Sequence, residues 1–335
     1  MAHTNNITMK DIAKSLNVSI TTVSKVINGH SDISEKTRRE VMDKIAELGY
    51  VPNMLAMNLR RSRANMVALV LSDLSKPYYG RVMEGYERVL EAAGYQAITF
   101  SSMENRERED RFIRRIASMN MAGIIIDPAQ NTDPEGDALK HTGIPYVFSN
   151  RYPCADSGYY VAADNDLAGY MATRHLLERK PGCPVFCVNG PRLISPTLTR
   201  FRGYCKALEE TKTPFRSEYV FENCFGLDEA YAIGRKIAAM VKPPFSVFCA
   251  TDQFAVGILR ALHDSGLQVP RDVGVIGVDD IDVARYLVPA ITTMALPKEQ
   301  IGEMSAQMLI NLIEGREVTQ PRVLLKPELI VRETT

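Results

Sequence analysis

Two sets of side chains in this 335-residue sequence have the types and spacing to do chemistry. The first is a hydroxyl-rich cluster near the N-terminus: Ser19, Ile20, Thr21, Thr22, Ser24 and Lys25. Hydroxyls at Ser19, Thr22 and Ser24 can bond phosphates, Lys25 can reach a guanine edge, and Ile20 can touch a thymine methyl. The second set follows apolar runs that read as strands: Asp73 to Tyr79, Asn150 with Arg151, Thr251 with Asp252, and Asp279 with Asp280. Ligands of open parallel sheets sit beyond the carboxyl ends of the strands, so these residues are expected to face a small molecule. Their chemistry suits a polyol. Asp279 and Asn150 can bond paired hydroxyls, and aromatic rings such as Tyr78 and Tyr79 can cover C–H faces.

Other chemistries lack their signatures. The chain has no phosphate-cradling P-loop, no dinucleotide-binding glycine fingerprint and no zinc-protease helix motif. None of its five histidines accompanies a nucleophile motif, so an enzyme is not expected. Its six cysteines are scattered, which argues against a disulfide framework or a metal site. No cofactor is implied. No apolar run is long enough for a membrane span, and residues 1–6 lack a signal-peptide core, so a cytoplasmic protein without membrane attachment is expected. Formal net charge is zero, yet residues 1–65 hold ten basic and six acidic side chains, and the remainder is acidic by the same margin of four. A basic head on a mildly acidic body fits a DNA-binding module attached to something else.

The head positions the first set. Thr8 reads as the cap of a helix, with Asp11 placed to reach back to it. After the turn at Asn17 and Val18, Ser19 caps a second helix that ends at Asn28-Gly29. A third starts at Ser34, buries Val41, Ile45 and Leu48, and stops at Gly49. Short helices joined by a tight turn and braced by a third are the layout of a helix-turn-helix domain, with the start of the second helix in the major groove. The pattern alone fits a three-helix bundle with a solvated polar face equally well. Beyond Pro52, Asn53 can cap a short apolar segment that includes Ala56 and Leu59 and ends in the basic cluster Arg60, Arg61 and Arg63. Apolar wedges flanked by arginines suit minor-groove insertion.

The body positions the second set. Strand-like runs at 66–71, 97–100, 123–126, 144–148 and 159–162 alternate with helical stretches. A second series follows at 185–188, 219–221, 246–249 and 273–276. Such alternation implies parallel sheets covered by helices, and two series imply two lobes. Residues 289–293 are expected to return the chain between lobes, followed by a helix from Glu299 to Glu314 and late strands at 322–325 and 328–331.

The segments Met9–Ala13, Val18–Gly29 and Glu47–Asn53 closely resemble the head of the lactose/galactose (LacI/GalR) repressor family. The resemblance runs from about residue 8 to the C-terminus. It implies a three-helix helix-turn-helix head (residues 1–50), a hinge helix or linker (51–64), and a two-lobed, periplasmic-binding-protein-like α/β sensor domain (65–335). Lobe 1 is expected at about 65–163 and 294–320, and lobe 2 at about 164–293 and 321–335. The implied DNA-facing set is Thr8, Ser19, Ile20, Thr21, Thr22, Ser24, Lys25, Asn28, Asn53, Ala56, Leu59 and Arg60. Leu59 is the residue that opens the central base step. The implied effector set is Asp73, Tyr78, Tyr79, Asn150, Arg151, Arg200, Phe225, Thr251 and Asp279, where Arg200 grips the ligand and Phe225 stacks on it. Three positions depart from the family pattern. Lys25 replaces the usual arginine and loses bidentate reading of guanine. Asn150 and Thr251 stand where aspartate and asparagine are frequent, so fewer fixed acceptors face the ligand. The expected protein is a homodimeric repressor of a palindromic operator, controlled by a sugar or related metabolite. A sugar-binding protein without a DNA-reading role is the alternative.

Overall fold

The computed structural model describes residues 7–27, 32–50, 65–130, 134–153 and 158–335, and the chain divides into two compact units, Met1–Ala64 and Asn65–Thr335. Local chemistry sets the ends of the helices in the first unit. In α1 (Met9–Leu16) the Thr8 amide donates to Asp11 Oδ2 at 2.8 Å, and Asn17 ends the helix in the left-handed region at φ 52°. Ser19 Oγ accepts from the Thr22 amide at 2.9 Å and starts α2 (Ile20–Ile27). Ser34 caps α3 (Glu35–Leu48) through the Thr37 amide at 3.2 Å, and Gly49 stops it at φ 62°, a conformation glycine adopts without strain. Ile12, Ala13, Val23, Val26 and Val41 are buried between the three helices, with Ile45 and Leu48 half-buried.

The second unit contains two six-stranded sheets. The first is built from β1 (Met66–Leu71), β2 (Gln96–Ser101), β3 (Gly123–Ile126), β4 (Tyr146–Ser149), β5 (Tyr160–Ala163) and β11 (Arg322–Leu325), in the order β11-β5-β4-β3-β1-β2, all parallel. The second contains β6 (Val185–Val188), β7 (Val220–Phe221), β8 (Phe245–Cys249), β9 (Val273–Asp279), β10 (Thr292–Ala295) and β12 (Glu328–Ile330), in the order β12-β10-β9-β8-β6-β7. Only β12 in this sheet runs antiparallel. Each lobe thus repeats one doubly wound order, with its first strand between its second and third. Alternate residues of β1 bury opposite faces: Val67, Leu69 and Leu71 join one core and Ala68 and Val70 another. This double burial explains the continuous apolar runs.

Helices α4 (Tyr78–Ala92), α5 (Arg106–Ala117), α6 (Pro134–Thr142) and α11 (Lys298–Ile313) cover the first sheet. Helices α7 (Asn165–Arg179), α8 (Ser195–Glu210), α9 (Leu227–Met240) and α10 (Asp252–Asp264) cover the second. The α7–α8 pair is packed backbone to backbone. A Cβ at Gly169 would lie 2.0 Å from the Arg200 carbonyl oxygen, and one at Gly203 would lie 2.1 Å from the Asp166 carbonyl oxygen.

Two expectations are corrected. Residues 292–295 are a strand beside β9 in the second sheet, so that lobe extends through residue 295. Residues 322–325 pair with β5 in the first sheet, so only the last strand, β12, belongs to lobe 2. The chain therefore crosses between lobes three times: after β5, after β10, and between β11 and β12. No helix among the described residues is long and apolar enough to cross a membrane.

Candidate functional site

The carboxyl ends of the two sheets face each other across one cleft. From lobe 1, the loop after β1 supplies Lys76 and Pro77 and the start of α4 supplies Tyr78 and Tyr79, the loop after β2 supplies Glu104, and the end of β4 supplies Asn150 and Arg151. From lobe 2 come Gly190, Pro191, Ile194, Pro196, Thr197 and Arg200 around the start of α8, Cys224 and Phe225 after β7, Thr251, Gln253 and Phe254 around the start of α10, and Asp279 and Ile281 at the end of β9. All of these follow strand ends, as the topology requires.

Arg200 is the centre of the lobe 2 wall. Its Nε donates to Asn165 Oδ1 at 2.8 Å, one Nη donates to the Ala250 carbonyl, and the other faces Asp279 Oδ1 at 3.4 Å. The close α7–α8 packing brings the donor and Asn165 together. Asp279 sits at φ 115°, a strained conformation for a non-glycine residue, and Asp280 follows at φ 49°. Lys298, at the start of α11, donates to both of their carbonyls, and Arg332 bonds the Asp280 carboxylate at 2.6 Å. Burial pushes the Asp279 carboxyl up, opposed by Arg200 and Lys298. Behind it, Asp252, the first residue of α10, ties the helix to the adjoining strands, accepting from the Ile281 amide at 2.9 Å and the Thr293 hydroxyl at 2.6 Å. Burial, reinforced by the charge of Asp279, raises Asp252 to about 8.

The lobe 1 wall is ionic. Arg151 donates through both Nη atoms to Glu104, at 2.7 and 2.8 Å, and its Nε faces Asp127 at 3.5 Å. Lys76 pairs with Glu104 as well. Burial alone would raise Glu104, but Arg151 and then Lys76 more than offset it and hold the carboxyl at about 2. Asp127, wholly buried, accepts from Tyr79, from Ser72 at 3.1 Å and from the Asn150 amide nitrogen at 3.5 Å. With its amide nitrogen engaged there, Asn150 can meet a ligand hydroxyl through its carbonyl oxygen as an acceptor.

Of the nine effector residues expected from sequence, Tyr78, Tyr79, Asn150, Arg151, Arg200, Phe225, Thr251 and Asp279 line this cleft. Asp73 does not. Its carboxylate turns back to bond the Ser75 amide at 2.9 Å and the Ser75 hydroxyl at 2.7 Å, closing its own loop. Sequence reasoning passed over Lys76 and Gln253, which lay inside the loops it singled out. It also missed Glu104, three residues beyond β2, which the strand-end rule would have found.

In the head, Ser19, Ile20 and Thr21 are exposed at the start of α2. The Ser19 and Thr22 hydroxyls bond each other at 2.8 Å, leaving one hydroxyl hydrogen between them for a phosphate. Lys25 is paired with Asp32, so reaching a base edge requires it to give up that pair. Thr8 is exposed and its hydroxyl donates to Asp11 at 2.6 Å. Asn28, Asn53, Ala56, Leu59 and Arg60 lie outside the described residues.

A three-helix unit with helix-turn-helix geometry, joined to a two-lobed clamp whose cleft is lined with polar groups, defines a ligand-responsive DNA-binding regulator. Residues 8–53 match the bacterial regulatory proteins of the lacI family, and residues 173–335 match the periplasmic binding protein-like domain. The chain is 30% identical over 328 residues to the HTH-type transcriptional repressor PurR of Vibrio parahaemolyticus, covering 98% of each protein. It is also 30% identical to the NTD biosynthesis operon regulator NtdR of Bacillus subtilis, over 98% of this chain and 99% of that one. Among solved structures, the transcriptional regulator CelR in complex with cellobiose superposes with a TM-score of 0.75 at 30% identity, covering 98% of this chain and 100% of that one. The lac repressor dimer bound to operator and the anti-inducer ONPF shares the fold at a TM-score of 0.89 and 22% identity, over 99% of each chain. The chain belongs to the lacI family and is a transcriptional repressor of that family.

Proposed function

We propose that this repressor binds an inverted-repeat operator as a homodimer and that a small polyhydroxylated effector, a sugar or sugar derivative, controls it from the interlobe cleft. The observation that carries the effector reading is the convergence of loops from both lobes on one cleft. Tyr78 and Asn150 stand on one wall, and Arg200, Thr251 and Asp279 on the other. A ligand touching both walls favours the closed clamp, because its contacts exist only when the lobes approach. Arg200 donates to ligand oxygens, Asp279 and Asn150 accept from hydroxyls, and the exposed ring of Phe225 covers a C–H face. The dimer is supported by an apolar patch after β9, where Val283, Tyr286 and Val288 are 48%, 74% and 96% exposed. The hinge role of Leu59, with Ala56 beside it and Asn53 near the DNA backbone, and the DNA-facing role of Arg60 rest on the family resemblance.

Selection of random duplex DNA by the full-length protein tests the proposal. An enriched inverted repeat supports a dimeric reader, since symmetric half-sites mirror protein symmetry. Val288→Asp should then shift the sedimenting species to monomer and weaken operator binding. A bound sugar should change operator affinity by about 5- to 150-fold. Weaker binding makes the sugar an inducer, and tighter binding makes it a corepressor. Leu59→Ala with undiminished operator affinity and DNA bend removes the hinge claim. A sugar that binds without affecting DNA would favour a binding module with no regulatory output.

A further inference from the structure

The two adjacent tyrosines of the cleft are wired differently. Tyr79 is committed to lobe 1, where its hydroxyl bonds Asp127 and Ser72. The Tyr78 hydroxyl is buried and has no hydrogen-bond partner among the described residues, although its ring lines the cleft. An unpaired buried hydroxyl is destabilising, and a ligand atom placed against it would relieve that cost.

The charges of the cleft are closed among themselves. Among the described residues, its lining cations are Lys76, Arg151 and Arg200. Lys76 pairs with Glu104, Arg151 with Glu104 and Asp127, and Arg200 with Asp279. Three cations thus meet three carboxylates. The nearby Lys298 is spent on the carbonyls of Asp279 and Asp280. The Glu104 carboxyl, held at about 2, stays ionised at any physiological pH, so its two pairs persist.

We propose, on the reading of the cleft as the effector site, that it takes an uncharged hydroxyl-bearing ligand. The Tyr78 hydroxyl reads one of its oxygens, and phosphorylated or carboxylated forms are refused. A phosphate or carboxylate entering this site would lose its hydration and meet cations that already hold carboxylates. A neutral hydroxyl finds the groups that remain: the Tyr78 hydroxyl, the Asn150 carbonyl oxygen, the second Asp279 oxygen and the Arg200 N–H groups not already bonded.

Calorimetric titration of the full chain with glucose, ribose and cellobiose, and with the phosphate monoesters of glucose and ribose, tests the proposal. A neutral sugar should bind at least about a hundredfold more tightly than its ester, a difference of about 2.7 kcal/mol. Tyr78→Phe should weaken the neutral sugar about three- to tenfold, the worth of one hydrogen bond, and should raise the melting temperature of the ligand-free protein. An ester that binds as tightly as its parent sugar overturns the proposal. If no sugar binds, melting in millimolar phosphate against chloride of equal ionic strength decides. Wild type should be unmoved and Glu104→Gln, which releases Lys76, should be stabilised. Wild-type protein stabilised by phosphate, or Glu104→Gln left unmoved, overturns it. Sugar binding indifferent to both Tyr78→Phe and Arg200→Met places the ligand elsewhere and overturns the cleft reading itself. Sensitivity to Arg200→Met combined with preference for the ester overturns this proposal alone.

Discussion

Replacing Arg200 with methionine keeps most of the aliphatic stem and removes the guanidinium from a site where the side chain is 4% exposed. Three acceptors are left behind: Asn165 Oδ1, the Ala250 carbonyl and the Asp279 carboxylate. Each unsatisfied group costs about 1–3 kcal/mol, and breaking a buried ion pair from one side costs about 3–5 kcal/mol. These figures describe overlapping atoms and do not add, so a loss of about 4 kcal/mol is expected near pH 8, a large share of a typical 5–15 kcal/mol. Acid should soften the loss. Burial already raises Asp279, with Arg200 the foremost opposing charge, so removing Arg200 lifts it further. As pH falls, the carboxyl of the variant then takes up a proton more readily than that of the wild type, which cancels the uncompensated charge and should reduce the loss. Adding Asp279→Asn should restore part of the stability at pH 8, giving a favourable coupling in the double-mutant cycle. Urea unfolding followed by circular dichroism is the suitable assay, because the chain contains no tryptophan. An Arg200→Met protein within about 1 kcal/mol of wild type at pH 8 would refute the argument that this guanidinium holds the lobe 2 wall together.

Other perturbations probe the supports of the site. Gly169→Ala places a Cβ 2.0 Å from the Arg200 carbonyl oxygen, so α7 and α8 must separate. Overpacking of this kind costs about 1–3 kcal/mol, and both a lower melting temperature and weaker effector binding are expected. Glu109 is wholly buried on α5, with one carboxylate oxygen accepting from the Ala129 amide at 2.8 Å and the other without a partner among the described residues. Burial raises it from 4.5 to about 7. The folded state therefore holds a proton that the unfolded chain releases, and stability falls as pH rises through that window. Glu109→Gln should remove that slope and stabilise the protein by about 3 kcal/mol at pH 8, with little change near pH 4. Denaturant midpoints across the pH range check this, and an unchanged slope refutes it. Ser19→Ala removes the cap of α2 and should cost the head about 1 kcal/mol. Operator affinity should fall while its salt slope stays constant, since no charge is lost.

Strand positions were legible because the β1 and β3 segments, Met66–Leu71 and Gly123–Ile126, are buried on both faces, and only apolar runs satisfy that condition. Head boundaries were legible for a similar local reason. Thr8 with Asp11, Ser19, Ser34 and Gly49 act on backbone groups within a few residues of themselves. Loops at strand ends followed from topology, which reached Tyr78, Tyr79, Asn150, Arg151, Thr251 and Asp279, whereas Arg200 and Phe225 were expected from the family resemblance. What tertiary structure decided was partnership over long separations. Arg322–Leu325 joins β5 and Glu328–Ile330 joins β10 because of how the sheet edges pair, and no local pattern records that choice. Asp73 and Lys76 lie in one loop, yet one closes that loop while the other meets Glu104 across 28 residues. Tyr78 and Tyr79 are adjacent and identical in type, but only Tyr79 reaches Asp127, 48 residues away. Strand-end position brought most of the expected residues to the cleft, although Asp73 turned away from it and Glu104 joined it. Packing of distant strands determined which of them are already satisfied and which remain to meet a ligand, because hydrogen-bond partners are set by proximity in space.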